Sequence, residues 1–147
     1  MKLFLLIILV SLLIFIQTFF GFSVFGVKPN LALIVVVATF FFIVGIWEGF
    51  LLAALAVLIL KFSPVVGTEI LIFSLIVVGA LIIKNYLPWR NFLNFLFLIV
   101  AGTLLFYLFL SPKLIVSFLF TKELFLNVFF GILTFAFLSF LRQNKLL

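Results

Sequence analysis

The chain has 147 residues, of which 69% are hydrophobic and 8% charged, with nine Lys plus Arg against three acids. A typical globular protein is roughly 45–50% apolar and about 25% charged, and a soluble fold of this size exposes too much area for its volume to hide such an excess. The composition therefore excludes a water-soluble domain and points to an all-α integral membrane protein, with the lipid bilayer as its first partner.

A bilayer core of ~30 Å takes about 20 residues of helix. The first apolar run covers 3–25 and is interrupted only by Ser, Thr, Gly and Gln17. It follows Lys2, as a signal peptide would. It is longer than a usual signal core, however, and no small-residue cleavage site follows it. The run reads as a retained first span.

Four prolines punctuate the rest: Pro29, Pro64, Pro88 and Pro112, each just ahead of a long apolar run. Ser63-Pro64 and Ser111-Pro112 match the preference for Ser at the N-cap and Pro at the first helical position. Lys28, Lys61, Lys84, Arg90 and Lys113 lie close to these prolines, as do Tyr86 and Trp89, and all suit the membrane–water boundary. The stretch 31–60 would be ~45 Å long as a single helix, which exceeds a bilayer core without strong tilt. Gly45-Ile46-Trp47-Glu48-Gly49 looks like a tight turn and divides it into 31–45 and 49–60. The alternative is one tilted helix with Glu48 facing a partner. Further runs cover 68–83, 92–110 and 124–141. The segment 114–120 is too short to span; it lies at the interface or extends the last helix. The expected fold is one bundle of about six short transmembrane helices, or five if 31–60 is unbroken.

With six spans, Lys2, Lys84, Arg90, Arg142 and Lys145 share one face, and Lys28, Lys61, Lys113 and Lys122 the other. The bias of Lys and Arg toward the cytoplasm then places both termini inside. The cations stand singly between apolar runs, so the net charge of +6 gives no stripe for nucleic acid.

Polar residues at membrane depth are the places to look for function. Gln17 and Asn127 suit hydrogen bonds across helices, and Asn94 stands near the start of the fifth span. Glu48 reads as an interfacial acid or partner contact. Glu69 suits the first turn of a helix, where the dipole favours a carboxylate. Glu123, beside Lys122, reads as a solvated helix start. Gly49 and Ala53 form a small-xxx-small spacing that permits close helix approach, and Gly79, Gly102 and Gly131 offer the same within later spans. The 25 Phe residues spread over every span as packing and lipid-facing bulk.

Asp, His and Cys are absent. Zinc sites, His- or Cys-ligated haem, His-based triads, Cys nucleophiles and aspartyl dyads therefore have no residues to build them. Neither a cofactor nor an enzyme activity is expected.

One ordered pattern goes beyond hydrophobicity. Gln17-Thr18-Phe19 ends the first span, Pro29-Asn30-Leu31 opens the second, and Gly45 to Gly49 interrupts. Phe62-Ser63-Pro64-Val65-Val66-Gly67 precedes the fourth, and Leu126-Asn127 begins the last. This order resembles the rod shape-determining protein MreD family, best from Gln17 to Gly67. The resemblance implies a six-helix bacterial inner-membrane protein of the cell-elongation machinery, without catalysis, whose partners are MreC, actin-like MreB filaments and the peptidoglycan polymerase–transpeptidase pair. It marks Gln17, Pro29, Asn30, Glu48, Gly49, Ala53, Gly67 and Asn127 as candidates for helix packing or partner contact. The family commonly carries an Asp late in its third helix, where this chain has Val57-Leu58-Ile59-Leu60. The family's fold is similar to that of the small-molecule-binding subunit of energy-coupling-factor transporters, which sets the alternative function.

Overall fold

The computed structural model describes residues 2–21, 23–24, 26–43, 45–61 and 67–144. Among these residues the fold is all-helical: α1 (Lys2–Phe19), α2 (Leu31–Phe40), α3 (Ile46–Leu60), α4 (Thr68–Ile83), α5 (Asn91–Leu110) and α6 (Phe118–Gln143), with a short 3-10 helix at Pro112–Val116.

The organising element is α2. Its sequence, Leu-Ala-Leu-Ile-Val-Val-Val-Ala-Thr-Phe, is apolar on every side, and all ten of its residues are buried. A helix without a polar face has to be enclosed, and α2 packs against α1, α3, α4, α5 and α6. The other helices each bury one stripe. α1 turns Leu6, Val10 and Ile14 inward, while Phe4, Ile8, Leu12, Phe15 and Phe19 face outward.

Several helix bounds differ from those expected. α1 stops at Phe19, short of residue 25. Gly21 takes a positive φ of 56°, in the left-handed region that favours glycine. Beyond it, Val24 and Val27 exchange backbone hydrogen bonds of 2.9 and 3.0 Å around Gly26, whose φ is 77°. The second helix closes at Phe40, before the expected turn at 45–49. The amides of Phe41 and Phe42 fold back onto Ala38 O and Thr39 O (3.1 and 2.9 Å). Gly45 is the N-cap of α3, so Glu48 and Gly49 belong to that helix's first turn. The segment 114–120 is divided between the 3-10 helix and the start of α6. Pro112 opens that 3-10 helix. Ser63-Pro64 and Lys145 lie outside the described residues.

The lengths also matter. At 1.5 Å per residue α2 is ~15 Å long, half a bilayer core. Two helices, Asn91–Leu110 and Phe118–Gln143, are long and apolar enough to cross a membrane, and the remaining four are apolar but shorter.

A candidate functional site at the start of the central helix

The first turn of any helix leaves four N–H groups without intrahelical partners. At the start of α2, Leu31, Ala32 and Leu33 are buried and Asn30 is half-buried, and an unpaired buried donor costs about 1–3 kcal/mol. The chain satisfies them with residues from three separate segments. The Asn30 N–H donates to Asn127 Oδ1 of α6 (2.8 Å), and the Ala32 N–H to Gln17 Oε1 of α1 (2.7 Å). The Leu33 N–H donates to Asn30 Oδ1 (3.0 Å), which makes Asn30 the N-cap. The Leu31 N–H reaches back to Pro29 O at 3.0 Å. Pro29 is buried and has no N–H of its own to satisfy.

The network continues outward along α5 and α6. Asn127 is fully buried and donates through Nδ2 to Thr103 Oγ1 (3.1 Å), and Thr103 donates to Ile99 O (2.8 Å). One turn further, the Tyr107 hydroxyl donates to Glu123 Oε2. Thr103 and Tyr107 lie four residues apart on α5, and Glu123 and Asn127 four apart on α6, so each pair shares a helix face. Two close approaches let α5 meet its neighbours. A Cβ on Gly102 would stand 3.3 Å from Ile76 and Leu33 side-chain atoms, and one on Gly131 3.2 Å from the Phe95 ring.

A cavity of about 270 Å³ opens beside the network, lined by Gln17, Asn30, Leu60, Gly67, Glu69, Ile70, Phe73 and Phe106. The amide oxygens of Gln17 and Asn30 already accept from backbone N–H groups. That fixes both amide orientations and leaves their NH₂ groups available.

At the other end of α2, Lys84 Nζ donates to Phe40 O (2.6 Å). A cation there complements the negative end of the helix dipole. Burial lowers the Lys84 pKa from its ordinary value of 10.5.

The structure thus joins Gln17, Pro29, Asn30 and Asn127 in one place. Gly67, the N-cap of α4, lines the adjoining cavity. Glu48, Gly49 and Ala53 lie apart from it on α3. Glu48 accepts from the Gly45 N–H at 3.4 Å. Gly49 lets α3 approach α4, since a Cβ there would fall 2.5 Å from Leu81 Cδ1. Ala53 is buried on the same helix. Asn94, 3% exposed, donates to Leu87 O (3.2 Å) and Trp89 O (3.0 Å), holding the approach to α5. Thr103, Tyr107 and Glu123 were not among the candidates. Glu123 is not a solvated helix start: α6 begins at Phe118, and Glu123 is drawn against Tyr107. Among the described residues no group of three His, Cys, Asp or Glu is placed to hold a metal ion.

Fold and site together define a helical bundle built around a buried, capped half-length helix, with two helices long enough to cross a membrane. Compared with family models, curated proteins and solved structures, the chain matches none of them.

Proposed function

We propose that this chain is a polytopic bacterial inner-membrane protein with about six helices, both termini cytoplasmic, that acts as a non-enzymatic scaffold of the cell-elongation machinery. In this reading α2 is a half-length helix held inside the bundle. The outward faces of the other helices meet lipid and partners. The apolar side chains of Phe15, Leu58, Leu75, Phe125 and Phe137 are all exposed, which suits a lipid solvent. Trp47, Tyr86 and Trp89 are exposed at helix ends, where aromatic belts form.

One observation carries the scaffold reading. Gln17, Pro29-Asn30-Leu31 and Asn127, the polar motifs behind the resemblance to MreD, are far apart in sequence yet meet at one helix start. Their hydrogen bonds go into fixing a packing arrangement. The test is depletion in a rod-shaped bacterium together with isolation of the tagged protein in mild detergent. Rounded cells and co-purification of MreC are expected. Rod morphology after depletion, with no MreC recovered, would refute the proposal.

The cavity beside Gln17, Asn30 and Glu69 favours a second reading, a small-molecule-binding subunit of an energy-coupling-factor-type transporter. Its polar groups converge as a ligand site requires, though its size is at the low end for a drug-sized ligand. Against it, α1 presents Leu12, Phe15 and Phe19 outward, with Phe20 exposed just beyond its end, not the small residues expected where such a subunit meets its coupling partner. Stoichiometric retention of a vitamin-sized compound through purification would favour this reading over the scaffold.

A further inference from the structure

At the end of the bundle opposite the α2 cap, a cleft of about 540 Å³ is lined by Phe41, Phe42, Arg90, Asn91, Phe92, Phe135, Ser139, Arg142 and Gln143. Its chemistry is divided in two. The floor is aromatic: the Phe135 ring lies 5.2 Å from Phe42, 5.5 Å from Phe92, 5.0 Å from Phe95 and 6.3 Å from Phe41. The rim carries two guanidinium groups, Arg90 ahead of α5 and Arg142 in the last turn of α6. Ser139, Asn91 and Gln143 stand beside them.

No acid lines this cleft. Glu48 is near this end of α2, but its carboxylate accepts from the Gly45 N–H. Glu69 lines the opposite cavity and Glu123 pairs with Tyr107. Among the described residues neither Arg90 nor Arg142 has an ion pair or hydrogen bond through its side chain. The first turn of α5 also opens here without a side-chain cap, adding its partial positive charge. Arginine presents a planar fork of donors suited to phosphate oxygens. A phosphate at the rim with hydrocarbon against the phenylalanines would satisfy both halves.

We propose that this cleft binds the phosphate headgroup of an anionic glycerophospholipid, with Arg90 and Arg142 on the phosphate and the Phe135 cluster against the upper acyl chain. The aromatic floor is what selects a lipid over free phosphate. Basic pockets between helices at a membrane surface are built on this pattern. The inference rests on the membrane reading proposed above, but not on the partner or the cellular role.

Trp89 adjoins Arg90 and is half exposed, so it can report on the site. In a Trp47→Phe background it is the sole tryptophan. The full chain would be reconstituted in phosphatidylcholine bilayers. Trp89 quenching would then be compared for brominated phosphatidylglycerol and brominated phosphatidylcholine. A preference for the anionic lipid of about five-fold per guanidinium is expected. It should fall to near unity in Arg90→Gln/Arg142→Gln and survive in Lys28→Gln/Lys113→Gln. Equal quenching in the parent, or a preference that persists without the two arginines, overturns the proposal. If inorganic phosphate at constant ionic strength abolishes the preference, the site belongs to free phosphate and the lipid assignment fails. No quenching by either lipid would overturn the membrane reading, and this site with it. Failed selectivity with normal quenching would overturn only the site.

Discussion

Asn127 should be the costliest polar side chain in the bundle to remove. Its two direct bonds have different consequences. The bond to Thr103 links two side chains, and such interhelical contacts in a membrane bundle are worth ~0.6 kcal/mol on average and up to ~1.7. The bond to Asn30 N–H satisfies a half-buried backbone donor, and stranding a buried donor costs about 1–3 kcal/mol. Asn127→Ala is therefore expected to lose about 2–4 kcal/mol, most of it from the Asn30 side. Thr103→Val removes the Asn127–Thr103 bond together with the Thr103 hydroxyl's own bond to Ile99 O and leaves Asn127 Nδ2 without its partner, and is expected to lose about 1–2 kcal/mol. The double variant should fall short of additivity by at least ~0.5 kcal/mol, because one interaction is counted in both singles. Reversible unfolding of the detergent-solubilised protein, titrated with a denaturing detergent and followed by far-ultraviolet circular dichroism, gives all four free energies. An Asn127→Ala variant within ~0.5 kcal/mol of the parent would refute the account of α2 as a helix capped from outside, and a strictly additive cycle would refute the coupling of Asn127 to Thr103.

Gln17→Leu should destabilise by about 1–3 kcal/mol in the same assay, because the Ala32 N–H loses its acceptor. Gly49→Ala places a Cβ 2.5 Å from Leu81 Cδ1; overpacking of about 1–3 kcal/mol should outweigh the gain of about 1 kcal/mol in helix propensity. Adding Leu81→Val should restore part of the loss. Gly79→Ala meets nothing within 4 Å and should stabilise by about 0.5–1 kcal/mol, a direct contrast between two mid-chain glycines. The Lys84 pKa is lowered by burial, so in the window just below 10.5 the unfolded chain holds more protons than the folded one. Stability should therefore rise with pH through that window, and Lys84→Met should flatten the rise when unfolding is measured from pH 8 to 11.

What was legible in the sequence follows from contrast. In a chain that is 69% hydrophobic, an amide inside an apolar run has few reasons to be there, and Gln17 and Asn127 stand out for that reason, whereas Asn30 is marked only by the Pro29-Asn30-Leu31 motif of the family resemblance. Thr103 and Tyr107 do not, because hydroxyl side chains can satisfy themselves within a helix, as Thr103 does on Ile99 O. Glu123 was masked by Lys122, which makes the pair look solvated. The signal that exposes all three is the recurrence of i,i+4 polar pairs on consecutive helices, 103/107 and 123/127.

The misplaced turn has a different cause. Gly45 and Gly49 around a carboxylate have the composition of a turn, whereas Phe40-Phe41-Phe42-Ile43 gives no local stop signal. Tertiary packing decides the matter. The rings of Phe41 and Phe42 leave the helix to pack on Phe135 of α6, and Gly49 serves the contact of α3 with Leu81. The same choice sets the length of α2. If the helix ran on to Gly45, its end would pass Lys84, which now binds Phe40 O. The aromatic floor beneath Arg90 and Arg142 would lose two of its rings. Shortening α2 thus closes the buried helix at both ends with polar partners, and it also builds the cleft proposed as the lipid site. A single substitution can separate these two consequences. Phe42→Ala removes one ring from the floor and leaves the Lys84–Phe40 contact in place. It should weaken Trp89 quenching by both brominated lipids, while leaving the anionic preference set by the two arginines and the far-ultraviolet spectrum unchanged. A gain of helicity instead would mean that the ring is needed to end α2, and that the cleft is only a by-product of the stop.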